Sequence, residues 1–349
     1  MGLVQHHPAL NRPTQPICSV CIANYNGVDL LADCLDSIFG QQCEFIFEVI
    51  VHDDASSDAS VQFLRERYPQ VEILISPENV GFCISNNRMV EHARGEYVLL
   101  LNNDAALFPD ALATLMRHAE LQKPQGILTL PQFDWQTGAL VDRGCLLDPF
   151  YNPVPNMDPK RHDVAMTIGA CLWIRRSLWA KLGGFPEWIE SIGEDMYLCC
   201  QARLLGMPVQ TASGSGYRHR QGVSFGGNRV VSGRLQTTFR RRRLSERNKT
   251  SAMVICTPTF IVWLLLALHL TMLMTEGVIV ATIRLDRKVW KEIYGPAIRF
   301  ACIAPFALGK RRRQVQAERR ITVWNYLRSF VLLPHKLRLL LRHGVPVIR

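Results

Sequence analysis

Runs at 17–23, 45–51, 71–75 and 97–101 are almost continuously apolar, and the first, second and fourth end in polar clusters. Short apolar runs bounded by turn residues predict strands buried on both faces. Between them, Leu31, Leu35 and Ile38 recur at helical spacing over 28–39. A second helix is predicted after Asp58, through Leu64 to Tyr68, and a third opens at 79–82 and runs to about Ala93. Strand and helix alternating across short connections predict an α/β domain, a mostly parallel sheet flanked by helices. In such sheets ligands bind beyond the carboxyl ends of the strands. The clusters 24–26, 53–58 and 102–104 each close a strand at that end, so they should line one crevice.

The pattern loosens over 124–165, which is rich in Pro, Asp and Gly. A strand is predicted at 166–175, with Gly169-Ala170 marking a close backbone approach. A helix at 177–182 breaks at Gly183-Gly184, and a helix at 196–205 stops at Gly206. A short strand follows at 209–211, then a loop holding His219 and Gly222. Residues 1–16 read as a loose leader without the apolar stretch of a signal peptide. The α/β domain is assigned to 17–233 and a basic tail to 234–349.

Charge sharpens that division. The chain carries a formal +10, yet residues 234–349 hold 23 Lys and Arg against 5 Asp and Glu, leaving −8 for residues 1–233. Within the tail, 251–283 contains no Lys, Arg or Asp and a single Glu, Glu276. That is long enough to cross a bilayer, but both flanks are basic and basic loops stay on the cytoplasmic side. A re-entrant hairpin or an in-plane helix pair keeps both flanks on one side; a buried core helix is the soluble alternative. Residues 294–308 and 321–341 read as amphipathic helices, lying either on a membrane surface or on the domain itself. The eleven cysteines form no framework; the Cys18–Cys21 pair sits in a strand, and buried reduced thiols are expected.

Three groups carry candidate chemistry. Asp104 follows an apolar strand and is aimed into the crevice, where a carboxylate can hold a divalent cation. Glu194-Asp195 opens a helix, whose dipole favours an ionised base. His219 offers an imidazole as a second metal ligand.

These residues stand in a longer pattern: SVCIANYN (19–26), VIVHDDASSDAS (49–60), NVGFCISNN (79–87), GEYVLLLNND (95–104), GACLWIRRSLWAKLGGF (169–185) and EDMYLCCQARLLG (194–206). In order and spacing it resembles the family 2 glycosyltransferases of GT-A fold, over about 17–225, with most likeness to the rhamnosyltransferase-like branch of bacterial surface polysaccharide synthesis. The resemblance implies a nucleotide-binding half at 17–104 and an acceptor half at 105–233. Ala23, Asn24 and Tyr25 would line the nucleotide pocket. Asp53 would read a uracil or thymine edge, with Asp58 and Asn79 shaping the pocket. Phe82 and Asn87 would lie under the donor, with Asn102 and Asn103 beside it. Asp104 and His219 would hold Mg2+ or Mn2+. Asp195 would be the general base, with Glu194 positioning it, and Gly169, Ala170 and Trp188 would face the acceptor.

The implied reaction is an inverting, metal-dependent transfer from a dTDP- or UDP-sugar, rhamnose among the candidates, to a lipid-linked saccharide or glycan acceptor. It is expected at the cytoplasmic face of the bacterial inner membrane, in O-antigen-type polysaccharide synthesis, with self-association left open. The pattern departs from the family at Asn102, where a carboxylate is usual, and at Pro186, where an Asp usually follows Gly-Gly-Phe. The amides keep a catalytically weak scaffold as the alternative. A dinucleotide oxidoreductase is disfavoured by the lack of GxGxxG after the first strand. No nucleic-acid partner is expected, because the basic residues form no recognisable binding motif.

Overall fold

The structure, a computed structural model, describes residues 4–222, 229–231, 234–336 and 347–348. Along the chain run β1 (Gln5–His7), β2 (Cys18–Asn24), α1 (Val28–Phe39), β3 (Phe47–Asp53), α2 (Ser60–Arg67), β4 (Glu72–Ile75), α3 (Phe82–His92) and β5 (Tyr97–Leu101). There follow β6 (Ala105–Leu107), α4 (Ala111–Leu121), β7 (Ile127–Thr129), β8 (Gln132–Asp134), β9 (Leu140–Asp142), β10 (Cys145–Leu147) and β11 (Pro153–Pro155). Next come β12 (Cys171–Arg175), α5 (Arg176–Leu182), α6 (Glu194–Leu204), β13 (Val209–Thr211) and β14 (Tyr217–His219). The tail supplies α7 (Phe239–Cys256), α8 (Val262–Arg284), α9 (Arg287–Val289), α10 (Gly295–Ala307), α11 (Gly309–Ala317) and α12 (Val323–Leu327).

The main sheet has the order β1-β4-β3-β2-β5-β12-β7-β13. All but β1 and β12 run in one direction. The sheet is therefore mostly parallel, as the alternation of elements predicts. Register brings the polar strand ends level: Asn24 pairs with Asp53, and Asp53 with Ile75. One apolar layer packs α3, α6 and the end of α7 on one face, and a second packs α1 and α4 on the other. Cys21 belongs to the first layer and Cys18 to the second, as alternation along β2 requires, so this CxxC cannot close on itself.

Three expectations need correction. Within 1–16, Gln5–His7 is not loose but pairs antiparallel with β4 at the sheet edge. The strand predicted at 166–175 begins only at Cys171, because Met166 bridges Cys145 and the Gly169 amide is turned to Asp195. The apolar stretch 251–283 is two elements. Its first part ends α7 and is buried (Ala252, Met253, Val254, Ile255 and Cys256). Thr257 precedes Pro258 and takes an extended ψ of 117°, which stops the helix.

Among the described residues, α8 is the one helix long and apolar enough to cross a membrane. One face rests on protein: Leu266, His269, Leu273, Gly277 and Val280 are buried. Gly277 is required there, since a Cβ would stand 2.8 Å from both Trp290 and Tyr294. The other face exposes Trp263, Leu264, Leu268, Met274, Val278, Ile279 and Ile283. Alongside, α10 buries Ala297, Ala301 and Ala304 and exposes Ile303 and Phe306. The helix predicted at 321–341 is described over Val323–Leu327; residues 337–341 lie outside the described residues.

Candidate active site

Beyond the carboxyl ends of the strands lies a cavity of about 320 Å³. It is lined by Phe82, Asn102, Asp104, Gly169, Ala170, Glu194, Asp195 and His219, and by Arg241, Arg242, Ser245 and Lys249 from α7.

Asp104 and His219 meet because β6 and β14 pair antiparallel with Ala105 opposite His219. Asp104 Oδ1 lies 3.0 Å from His219 Nε2, and both side chains are buried. Behind the ring, His219 Nδ1 lies 3.3 Å from Gln132 Oε1, which also accepts from Tyr217 Oη at 2.8 Å. An amide oxygen in that place can accept a hydrogen bond from Nδ1, which would free the Nε2 lone pair for a cation shared with Asp104; an outer acceptor of this kind orients a metal-binding histidine. Asn102 faces the cavity as well, its Nδ2 at 3.5 Å from His219 Nε2. The donor set of one carboxylate and one imidazole, backed by Gln132, fits a hard or borderline divalent cation.

Asp195 sits in the first turn of α6. Its Oδ2 accepts from the Gly169 amide at 2.9 Å and its Oδ1 from the Met196 amide at 2.6 Å. Burial raises its pKa, while these amide donors oppose the shift. Glu194 differs: burial first, then the charge of Asp195, push it up to about 8, and its Oε2 has no hydrogen-bond partner among the described residues. Burial thus raises the proton affinity of the pair, and the amide donors on Asp195 favour charge there. Arg241 approaches both; burial lowers its pKa and the two carboxylates raise it again.

The residues expected on the nucleotide side form their own hydrogen-bond network. Asn24 Nδ2 donates to Asp53 Oδ2 at 3.0 Å, and Asn103 Nδ2 donates to Asn24 Oδ1 at 2.8 Å. Asp53 also accepts from the Ser56 amide and hydroxyl at 3.0 and 2.7 Å. Gly27 makes room for this network: a Cβ there would lie 2.3 Å from Asn103 Nδ2. Ala23 is half-buried and Tyr25 exposed at its edge. Asp58 accepts from the Val28 and Ser60 amides, joining α1 to α2, and Asn79 is exposed. Thus Asn102, Asn103 and Asp104 divide, Asn103 toward the nucleotide-side network and its two neighbours toward the cavity.

Ala23, Asn24, Tyr25, Asp53, Asp58, Asn79 and Asn103 do not line the cavity itself, and Asn87 and Trp188 are engaged elsewhere. Asn87 exchanges hydrogen bonds with the backbone of Phe185 at 2.8 and 2.9 Å, clamping the Gly-Gly-Phe turn to α3. Trp188 packs edge-to-face on Tyr197 with Arg311 stacked on it, in a separate groove. The resemblance extends to a His-x-x-Gly-x-Ser element at 219–224, whose last residue, Ser224, lies outside the described residues. His52 is buried and neutral, its pKa brought down to about 4 mainly by burial.

Sequence reasoning missed the α7 wall and Gln132. The run 240–243 reads as a membrane flank, yet Arg241, Ser245 and Lys249 recur every fourth residue, which is one helical face. Gln132 carried no signal, because its role arises only when β8 pairs with β14.

Comparison with known proteins bears on the fold. Residues 19–183 match the profile of glycosyl transferase family 2. Poly(ribitol-phosphate) beta-glucosyltransferase of Bacillus spizizenii is 26% identical over 57% of this chain and 31% of its own length. The matched stretch spans about a third of the curated relatives it resembles. Among solved structures, GalNAc-T7 with UDP, GalNAc and Mn2+ superposes with a TM-score of 0.55 at 14% identity, covering 69% of this chain and 48% of that one. Residues 1–349 of S. aureus TarS with UDP-GlcNAc superpose with a TM-score of 0.52 at 16% identity, covering 86% of this chain and 90% of that one. The sheet-and-crevice domain is of the GT-A class. Over residues 19–183, just under half of the chain, it is similar to glycosyl transferase family 2.

Proposed function

We propose that the protein is an inverting glycosyltransferase that moves a sugar from a nucleotide diphosphate, a dTDP- or UDP-sugar, to a lipid-linked saccharide or glycan acceptor in cell-surface polysaccharide synthesis. The observation that carries this reading is the placing of Asp195 and the Asp104–His219 pair in one cavity, beside the Asn24–Asp53–Asn103 network. Asp195 Oδ takes the proton of the acceptor hydroxyl as its oxygen attacks the anomeric carbon. The bond from that carbon to the diphosphate oxygen breaks, and its electron pair leaves with the diphosphate. Gly169 and Met196 amides hold Asp195 in place. Arg241 offers its guanidinium to anionic oxygen in the cavity. Asp104 and His219 would hold Mg2+ or Mn2+, which supplies Lewis-acid stabilisation of the departing phosphate.

Two further features support a membrane surface as the workplace. The exposed apolar side of α8 and α10 is flanked by Arg284, Arg287, Lys288, Lys310 and Arg313, a combination suited to anionic lipid. Glu276 of α8 is tied by ion pairs to Arg242 and Lys336, so α8 is held against protein on one side, as an in-plane helix would be. Sedimentation with anionic vesicles checks this, and Leu264→Glu with Ile279→Glu should release the protein.

The decisive experiment is thermal stabilisation by a panel of UDP-, dTDP- and GDP-sugars with and without manganese, since a ligand of the native state raises Tm by mass action. A manganese-dependent rise with one donor identifies the substrate to use in transfer assays. No rise with any donor in folded protein shifts weight to the scaffold reading that Asn102 and Asn103 keep open.

A further inference from the structure

Three chain segments meet around one buried carboxylate at the far end of the sheet from the cavity. Glu72 opens β4, and its side chain is 2% exposed. Its Oε1 lies 3.0 Å from His6 Nε2, 2.9 Å from His92 Nε2 and 2.9 Å from Arg12 Nη2. Its Oε2 is equally shut from solvent and has no hydrogen-bond partner among the described residues. His6 comes from β1 and His92 ends α3; their rings meet edge-to-face, with centroids 4.6 Å apart.

The carboxylate is loaded unevenly. One oxygen faces three nitrogen groups and the other faces none, although a buried carboxylate oxygen normally finds a partner. Two imidazoles and a carboxylate, open to water on one side, are also the donor set of a zinc-class cation. The three ligand atoms lie within 4.8 Å of one another. The histidine side chains are about a third exposed, leaving a path for the ion and for a water ligand.

We propose that His6, Glu72 and His92 bind one zinc-class divalent cation that clips β1 and α3 to β4. The imidazoles then turn lone pairs rather than protons to the centre. The two carboxylate oxygens are shared between the ion and Arg12. The site is structural: Glu72 stands at the amino end of its strand, whereas the cavity lies beyond the carboxyl ends. A three-residue edge strand has few ladder bonds of its own, and a metal joining residues 6, 72 and 92 closes long loops of chain.

The test uses the full chain carrying Asp104→Asn, which removes the carboxylate ligand of the cavity, stripped with chelator and titrated with Zn2+. One equivalent should bind and raise Tm by about 3–5 °C at a hundredfold excess over Kd. Co2+ in its place should give visible bands of a nitrogen- and oxygen-ligated ion. His6→Ala or His92→Ala, each at a partly exposed side chain, should abolish both signals whatever it does to the metal-free Tm. Zinc stabilisation that survives in His92→Ala, or the lack of any zinc response in protein with all three ligands, overturns the site in favour of a plain ion-pair cluster.

Discussion

The strand-end network and the α7 wall of the cavity both carry dense polarity but settle it differently. On the sheet side, Asn24, Asp53, Asn103 and Ser56 are joined by hydrogen bonds, and the Asp53 carboxylate is met by neutral donors. On the α7 side, cations line the cavity and are held by carboxylates of α7 and α8. Lys249 is tied to Glu246 and Asn152, and Arg242 to Glu246 and Glu276, while Arg241 lines the cavity with Glu194 and Asp195, whose charges favour its protonated form. The first suits recognition of a neutral base and ribose by fixed hydrogen bonds. The second suits charge that changes during reaction, because in a buried setting a moved proton or a departing phosphate is felt strongly.

Four substitutions break or sharpen that contrast. The largest effect is expected from Asp195→Asn, which should lower turnover by about a thousandfold or more while leaving donor binding in thermal shift nearly intact; turnover within tenfold of wild type removes Asp195 as the base. Arg241→Ala should lower kcat/KM by about a hundredfold with little change in the melting of the apo protein. If kinetics are unchanged, the α7 wall is scaffolding. Gln132→Leu should weaken manganese affinity by about ten- to a hundredfold, because His219 loses the acceptor that orients it. Calorimetric titration of manganese in the presence of UDP checks this, and equal affinity would separate His219 from the metal.

The smallest effect is on stability. Glu194 is pushed up to about 8 in the folded state, whereas its ordinary value is 4.5. The folded state binds more protons than the unfolded chain across that window, so stability falls as pH rises through it. Glu194→Gln should flatten the slope by up to about 1.4 kcal/mol per pH unit. Urea melts of the two proteins that stay parallel between about pH 5 and about pH 8 would refute the raised proton affinity of Glu194.

Residues that end strands were legible because the α/β alternation itself says where they go. The count of strands and their direction sufficed to put Asn24, Asp53, Asn102 and Asp104 at carboxyl strand ends, where Asn102 and Asp104 line the cavity and Asn24 and Asp53 do not. Asp195 was legible through its place at a helix start. Asn87 and Trp188 misled for a common reason. Each lies on a helix or turn close to the site in sequence, and its side-chain direction depends on what the Gly183-Gly184-Phe185 turn packs against. The apolar stretch 251–283 misled because hydropathy does not distinguish a helix end buried by α6 and α10 from one facing lipid; Pro258 was the sign that two elements were involved.

The chain by itself determined the sheet-and-helix alternation, the polar strand ends and the carboxylate pair at 194–195, because these follow from local periodicity and from which ends of parallel strands are open. The tertiary structure alone decided that Gln132 stands behind His219, that burial raises the proton affinity of the Glu194–Asp195 pair, and that a helix from the basic tail lines the cavity. Those outcomes depend on contacts between segments about ninety residues apart for Gln132 and His219 and about fifty for Glu194 and α7. They depend also on burial, which sets proton affinity and which no local pattern of residue types encodes.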